Sequence, residues 1–343
     1  MFGLDAERAH DLGIEALKLG LVSSATPDLS GQFGEIERFG LKFANPLGIA
    51  AGFDKNGVVA NQLASLGFGF VEVGTVTYGP QPGNLKPRLF RLPDDKALIN
   101  RLGFNNDGAV AIAKRLEKLE RQCVVGVNIG KNKDVPNEEA TENYLKSFDL
   151  VHRAADYVAV NISSPNTPNL RELQRAKSLD GLIDILQSRN KDLGTKPLLV
   201  KIAPDLTEAE IEEVVDIALR YQLDGIIATN TTISRDDLNT TEIERLGAGG
   251  LSGRPLRKRA TEVISTIYRY SKGKLPIVGV GGIFTSEDAF EKIAAGASLI
   301  QAYTGFVYGG PSFAHDVNIG LAGMLKERGF ATLDDAVGSW HAG

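Results

Sequence analysis

The sequence of 343 residues is poor in cysteine and in histidine, and its acidic residues outnumber its basic ones by 43 to 38. Cys123 is the only cysteine, so no disulfide can form within the chain, and a reducing compartment suits the protein. The histidines, His10, His152, His315 and His341, lack the spacing of metal ligands, and we expect no metal site. A net charge of −5 provides no basic field, so we expect no nucleic-acid partner.

Long hydrophobic runs are missing as well. No apolar stretch approaches the roughly 20 residues that cross a bilayer, and the N-terminus lacks the pattern of a signal peptide. We therefore expect the bacterial cytoplasmic side rather than a mitochondrion. The composition, 43% hydrophobic and 24% charged, is that of an ordinary globular protein with one large core or two modest ones.

Short apolar segments rich in β-branched residues alternate with amphipathic stretches along most of the chain. The apolar segments are residues 45–52, 68–76, 123–130, 157–164, 197–204, 225–230, 276–283 and 299–308. Continuous apolar strands separated by helices are typical of a parallel sheet with both faces covered. Eight such units match the size of a (β/α)8 TIM barrel. A doubly wound sheet is the alternative α/β fold, but the number of units favours closure.

Two segments do not belong to the repeat. Residues 84–100 resemble a hairpin, with its turn near 94–96, inserted after the second strand. Residues 232–253 are polar and then glycine-rich, which predicts a long loop over the barrel mouth.

The first 32 residues predict a small N-terminal helical extension, separate from a barrel of residues 33–343. Ile14, Leu17 and Leu21 share one helical face, which further apolar residues widen. Two interpretations remain open: the helix docks on the barrel, or its apolar face lies on a membrane surface.

Polar side chains and glycines follow the carboxyl ends of the predicted strands, where a TIM barrel carries its functional groups. Asparagine amides suit the edge of a pyrimidine or an isoalloxazine ring. The glycine turns at 279–282 and 303–305 leave backbone N–H groups free for a phosphate. Lys201 lies within an apolar strand, where a charge is costly unless it faces a ligand. Such a lysine can stabilise a reduced flavin or form a Schiff base.

Ten motifs, in order, resemble those of the dihydroorotate dehydrogenase family between about residues 33 and 311. They are ANPLGIAAGFDKNG, VEVGTVTYGPQPGN, NRLGFNNDG, VGVNIGKN, VAVNISSPNTPNLR, VKIAPDL, ATNTT, GGLSGRPL, VGVGGI and QAYTGFVYGGP. The resemblance implies an FMN enzyme that oxidises (S)-dihydroorotate to orotate in pyrimidine biosynthesis. A serine in the active-site loop, instead of cysteine, and the N-terminal extension resemble the membrane-associated, quinone-dependent class.

The same resemblance implies roles for individual residues. Ser164 matches the catalytic base, Lys201 stabilises charge on the flavin, and Thr167 is our hypothesis for a proton relay with a bound water. The substrate-binding positions are Lys55, Asn100, Arg101, Leu102, Gly103, Phe104, Asn161, Asn166, Asn230 and Thr231. The FMN-binding positions are Ala51, Gly52, Phe53, Asp54, Lys55, Thr75, Asn128, Asn161, Lys201, Thr229, Gly253, Gly282, Tyr303 and Thr304. Threonine at 304 stands where the family more often has serine.

The implied partners are dihydroorotate and orotate, a membrane quinone, and the membrane surface through the N-terminal helices. We expect a peripheral protein on the cytoplasmic face of a bacterial membrane. Deletion of residues 1–30 should then spare flavin reduction and impair turnover with long-tailed quinones. Three rivals remain: a Schiff-base aldolase that uses Lys201, a soluble flavoenzyme that reduces fumarate or NAD, and a non-catalytic membrane-surface protein.

Overall fold

A computed structural model of the chain describes residues 3–22, 31–236, 238–241 and 243–341. The strands are β1 Ile36–Arg38, β2 Leu41–Phe43, β3 Leu47–Ile49, β4 Phe70–Val76, β5 Leu89–Leu92, β6 Ala97–Asn100, β7 Val124–Ile129, β8 Tyr157–Asn161, β9 Leu198–Ile202, β10 Gly225–Ala228, β11 Gly250–Gly253, β12 Ile277–Val280 and β13 Leu299–Ala302. The α-helices are α1 Ala6–Lys18, α2 Ala60–Ser65, α3 Ala109–Glu117, α4 Ala140–Val151, α5 Ala176–Leu193, α6 Glu208–Arg220, α7 Arg257–Ser271, α8 Ser286–Ala294, α9 Thr304–Gly309, α10 Phe313–Glu327 and α11 Leu333–Ala336.

Eight parallel strands close into a barrel in the order β3, β4, β7, β8, β9, β10, β12 and β13, with β13 pairing back to β3. Every residue of β4, β8, β9 and β10 is buried, because the strands pack against side chains inside the barrel and against helices outside. The predicted TIM barrel is confirmed.

The barrel helices follow from amphipathic spacing and from capping residues at their starts. In α6, Ile211, Val214, Val215 and Ala218 recur at helical spacing and are buried. Thr207 caps this helix in a reciprocal capping box, and Thr285 does the same for α8. An N-cap of this kind stabilises a helix by about 1 kcal/mol.

The last barrel strand is shorter than the sequence predicts. The apolar run 299–308 was expected to be one strand, but β13 ends at Ala302 and the rest forms α9. Periodicity alone cannot distinguish a short apolar helix from a buried strand. Phe306 of α9 packs against the rings of Phe53 and Phe68, and this tertiary contact favours the helix.

A three-stranded antiparallel sheet lies outside the barrel, with β5 and β6 from the connection after β4 and β11 from the connection after β10. The predicted hairpin of residues 84–100 is confirmed by the pairing of β5 with β6. The loop predicted over residues 232–253 is only partly a loop, because its last residues form β11 and pair with β6. Gly253, at φ +102°, permits this approach, since a Cβ there would lie 2.4 Å from the Lys96 carbonyl oxygen.

The N-terminal helix α1 docks on the barrel by one narrow face. Asp5 caps it, and Leu17 is only 4% exposed, whereas Leu19 and Leu21 are 70% and 74% exposed. Ile14, Leu17 and Leu21 were expected to share one helical face. Leu21 does not share it, because it lies beyond the end of the helix. In the part of the chain that the structure describes, no helix has the length and apolar character needed to cross a membrane.

A short hairpin of β1 and β2, which the sequence did not predict, precedes the first barrel strand. Phe39 at its turn lies near Gly225, the first residue of β10, and therefore at the amino end of the barrel. The hairpin is on the opposite side from the strand ends that carry the polar residues.

Candidate active site

A deep cavity opens at the carboxyl ends of the barrel strands. The space inside it, including the part open to solvent, is ≈ 1060 Å³. Leu89 and Leu98 of the three-stranded sheet contribute to its wall. The predicted residues that line it are Ala51, Gly52, Lys55, Asn100, Leu102, Gly103, Phe104, Asn161, Ser164, Asn166, Lys201, Thr229, Asn230, Thr231, Gly253, Gly282, Tyr303 and Thr304.

Some predicted residues stand behind this lining. They are Phe53, Asp54, Thr75, Arg101, Asn128 and Thr167. The Asp54 carboxylate accepts hydrogen bonds from the backbone N–H groups of Val58 and Val59, which anchors the loop after β3. Burial raises the pKa of Asp54, and these hydrogen bonds oppose the rise.

Thr75 and Asn128 hold the side chain of Asn161, which does reach the cavity. The Asn161 amide nitrogen donates to Thr75 Oγ1 at 2.9 Å and to Asn128 Oδ1 at 3.1 Å. Thr75 Oγ1 in turn donates to Asn128 Oδ1 at 2.6 Å. The three residues come from β4, β7 and β8, so the barrel geometry fixes the orientation of the Asn161 carboxamide.

The two adjacent serines of the loop after β8 have different surroundings. Ser163 is fully buried, donates to Asn161 Oδ1 at 3.1 Å and accepts from Asn230 Nδ2 at 3.0 Å. Ser164 lines the cavity, and its Oγ accepts the backbone N–H of Asn166 at 3.2 Å. Only Ser164 is therefore placed to contact a ligand. Thr167 is buried, and its Oγ1 has no hydrogen-bond partner.

Arg101 directly follows β6, and its side chain does not line the cavity. Arg101 donates to the backbone carbonyls of Leu246 and Ala248, and its guanidinium stacks over the Phe90 ring. These contacts direct its side chain away from the cavity, while Leu102, Gly103 and Phe104 face it.

A buried carboxylate that the sequence analysis missed lies beneath the cavity floor. Glu72 of β4 is 0% exposed, and its Oε1 lies 3.6 Å from Lys201 Nζ. Asn128 Nδ2, Tyr157 Oη and Gln301 Nε2 donate to the same carboxylate at 2.9, 3.1 and 2.9 Å. Burial, together with this negative charge, raises the pKa of Tyr157 well above its ordinary value. The signal was present, because a charge within an apolar strand is as unusual at Glu72 as at Lys201.

Lys55 lies between this cavity and a second one beside α1. Burial lowers the pKa of Lys55 to about 8, against the opposing effect of the negative charges of Asp11 and Glu7. His10 Nε2 is 3.4 Å from Lys55 Nζ. Burial and the charge of Lys55 lower the pKa of His10 to about 3, so this histidine is neutral at physiological pH.

The second cavity has a volume of ≈ 830 Å³, again including open space. It lies between α1 and the loops that follow β3 and β6, and Lys55 and Asn105 line both cavities. Its lining is His10, Asp11, Ile14, Glu15, Lys18, Phe53, Asp54, Lys55, Asn56, Val58, Asn105, Asp107 and Arg115.

The closed barrel, with a lysine, a serine and several asparagines in one cavity at its strand ends, defines a TIM-barrel protein with its cavity at the carboxyl-terminal mouth. The sequence model described as dihydroorotate dehydrogenase matches residues 35–325. The chain therefore belongs to the dihydroorotate dehydrogenase family.

Curated relatives and solved structures agree with this assignment. The chain is 50% identical over 347 residues to a dihydroorotate dehydrogenase (quinone) of Roseiflexus sp., covering 98% of this chain and 96% of the relative. It is 48% identical to the enzyme of the same name from Corynebacterium glutamicum, covering 99% and 93%. The ligand-free enzyme of Eimeria tenella superposes with a TM-score of 0.93 at 41% identity, covering 98% of this chain and 99% of that one. Its complex with ferulenol gives a TM-score of 0.93 at 40% identity, covering 99% and 96%.

Proposed function

We propose that this protein oxidises (S)-dihydroorotate to orotate in pyrimidine biosynthesis, with FMN as the hydride acceptor and a membrane quinone as the final electron acceptor. The observation that carries the proposal is that Ser164, Lys201 and the asparagines at 100, 161, 166 and 230 line one cavity. Lys55 adds positive charge to the same cavity, which suits an anionic substrate.

The donor set of the cavity fits FMN. Lys201 and the Asn161 amide suit the polar edge of a flavin ring, and the backbone at Gly253 and Gly282 suits its phosphate side. Gln301 lines the cavity, and its buried Oε1 has no hydrogen-bond partner, so it remains available to a ligand N–H group. When bound, FMN supplies the hydride-accepting chemistry.

Ser164 is the proposed catalytic base, which accepts a proton from the substrate carbon C5. A serine hydroxyl is a weak base at neutral pH, so it must pass its own proton onward as it acts. The buried Thr167 Oγ1, which lacks a partner, is the proposed next member of that relay, through a bound water.

The asparagines around Ser164 orient the substrate. Asn166 Nδ2 donates to Asn100 Oδ1 at 3.0 Å, and Asn230 Nδ2 donates to Asn161 Oδ1 at 3.2 Å. These mutual hydrogen bonds hold the amides in place before a ligand arrives, which lowers the entropy cost of binding. Lys201 stabilises negative charge that develops during hydride transfer, because its ammonium is held at the cavity floor.

Residues 1–32 are the proposed quinone and membrane region, and residues 33–343 the catalytic barrel. Leu12, Leu19 and Leu21 are exposed at or near α1, and they can enter the surface of a bilayer. The second cavity, beside Ile14, is the proposed route of the quinone toward Lys55 and the flavin edge. The protein would then lie peripherally on the cytoplasmic face of the membrane.

Anaerobic mixing of the purified protein with dihydroorotate tests this function. We expect the protein to be yellow, to release FMN on denaturation, and to bleach when the substrate is added. Well-folded protein that yields no flavin would refute the proposal. The aldolase alternative is disfavoured because the chain belongs to the dihydroorotate dehydrogenase family. Borohydride trapping of a lysine adduct would restore that alternative.

A further inference from the structure

One acidic residue of the N-terminal helix, Glu7, is buried against the connection between β4 and β5 instead of facing solvent. Glu7 is held by Arg88, whose Nη2 lies 2.8 Å from Glu7 Oε1, and whose Nε lies 3.2 and 3.1 Å from the two carboxylate oxygens. Lys86 Nζ is 3.3 Å from the same carboxylate. Burial raises the pKa of Glu7, but hydrogen bonds and charges from Arg88 and Lys86 outweigh burial and leave it below its ordinary value.

The other side of the Arg88 guanidinium holds a turn of the chain. Its Nη1 donates to the backbone carbonyls of Pro82 and Asn84 at 2.6 and 2.7 Å. Gly83, between them, has φ +79°, and a Cβ there would lie 2.7 Å from Arg88 Nη1 and 2.3 Å from the carbonyl oxygen of Leu102. A planar guanidinium presents its donors in a rigid fork, so the position of Arg88 determines the position of residues 82–84.

Asn84 connects that turn to both loops that carry substrate-binding residues. Its backbone N–H donates to the Leu102 carbonyl at 3.0 Å. Its side-chain Nδ2 donates to the carbonyl of Arg101 at 2.9 Å and to that of Asn166 at 3.3 Å. Asn166 in turn donates its backbone N–H to Ser164 Oγ. Hydrogen bonds therefore run without a gap from α1 to the loop that carries the serine.

We propose that Glu7 is a positioning residue for substrate oxidation, which acts through Arg88 and Asn84 on the loops of residues 101–104 and 164–166. The inference rests on the proposed function and extends it. The N-terminal helix would serve the reductive half-reaction as well as quinone access. Loss of the helix would then slow flavin reduction too, contrary to the expectation from sequence that this step is spared.

The test compares Glu7→Gln with two controls in the complete, flavin-loaded protein. Glutamine keeps the size of the side chain and removes its charge. Glu37→Gln is the same replacement at an exposed position of β1, and Arg8→Gln changes the charge of α1 at an exposed position. Stopped-flow bleaching by dihydroorotate gives the limiting rate and the half-saturating concentration, and the flavin spectrum gives the dissociation constant of orotate.

We expect Glu7→Gln to lower the ratio of limiting rate to half-saturating concentration about tenfold and to weaken orotate binding, with both controls within twofold of wild type. Glu7→Asp, which keeps the charge, should recover part of the loss. Normal bleaching and orotate binding in Glu7→Gln, with only quinone turnover impaired, would overturn the inference. A wild-type protein that does not bleach at all would instead refute the proposed function itself.

A double-mutant cycle with Asn84→Ala tests the connection separately. If Glu7 acts through Asn84, the double variant should lose no more than the worse single variant, because both remove the same restraint. Losses that multiply would show that the two residues act independently, and would overturn the proposed route. If Glu7→Gln does not fold, Glu7→Asp takes its place in the same cycle.

Discussion

Replacement of Glu72 by glutamine should destabilise the barrel strongly, although the two side chains have nearly the same shape. The Glu72 carboxylate accepts hydrogen bonds from Asn128, Tyr157 and Gln301, and it faces the ammonium of Lys201 at 3.6 Å. Each of these four groups is a hydrogen-bond donor toward the carboxylate. Glutamine retains one acceptor oxygen and brings an NH2 group, so some of the hydrogen bonds that the carboxylate accepts must be lost or must reorient.

The magnitude follows from the burial of the pair. Lys201 and Glu72 have side chains only 5% and 0% exposed, so neither charge can be rescued by water. Removal of one partner of a buried ion pair costs about 3–5 kcal/mol. The hydrogen bonds lost at the same carboxylate are part of this figure rather than additional to it. The loss is a large share of the roughly 5–15 kcal/mol that stabilises a typical protein.

Urea unfolding of the flavin-free protein, followed by circular dichroism, measures the effect without a contribution from Lys201 as a proposed flavin contact. The double variant Glu72→Gln, Lys201→Met is the control, because it removes both charges. We expect it to be more stable than Glu72→Gln alone, since the uncompensated charge is gone. A loss below about 1 kcal/mol in Glu72→Gln, or a double variant that loses the sum of both single effects, would refute this account of the buried pair.

Three further predictions concern the cavity and its rim. Ser164→Ala should bind orotate almost normally and slow flavin reduction about 10²–10⁴-fold in stopped-flow bleaching, since general-base catalysis contributes about that much; an unchanged rate would exclude Ser164 as the base. Lys55 has a pKa of about 8 in the folded protein and 10.5 as its ordinary value, so its charge leaves the cavity as the pH rises through 8. Binding of orotate should therefore weaken above about pH 8, and Lys55→Gln should flatten the dependence of this affinity on pH. The free energy of unfolding should rise between pH 8 and 10.5, because the unfolded chain still binds the proton that the folded chain has lost. His10, with a pKa of about 3 against 6.5, should make stability fall as the pH drops from 6.5 to 3, because only the unfolded chain takes up the proton there. Unfolding midpoints of wild type and His10→Gln across that range check this, and identical pH slopes would contradict it.

The sequence by itself determined the barrel and most of its lining. Alternation of apolar strands with amphipathic helices depends on local spacing, and the carboxyl ends of parallel strands meet at one mouth. Lys201 could be placed there because a charge within an apolar strand must face a partner or a ligand. Ser164, Asn166 and Asn230 were identified by motif, and the cavity brings them together.

Only the tertiary structure decided which residues stand behind that lining. Arg88 pairs with Glu7 across 81 positions of sequence, and Gln301 donates to Glu72 across 229. Pairs so far apart have no signature in local spacing, because the packing of whole elements brings them together. The strand β11 and the helix α9 have the same explanation: a short glycine-rich or apolar segment takes the conformation that its neighbours in space can satisfy.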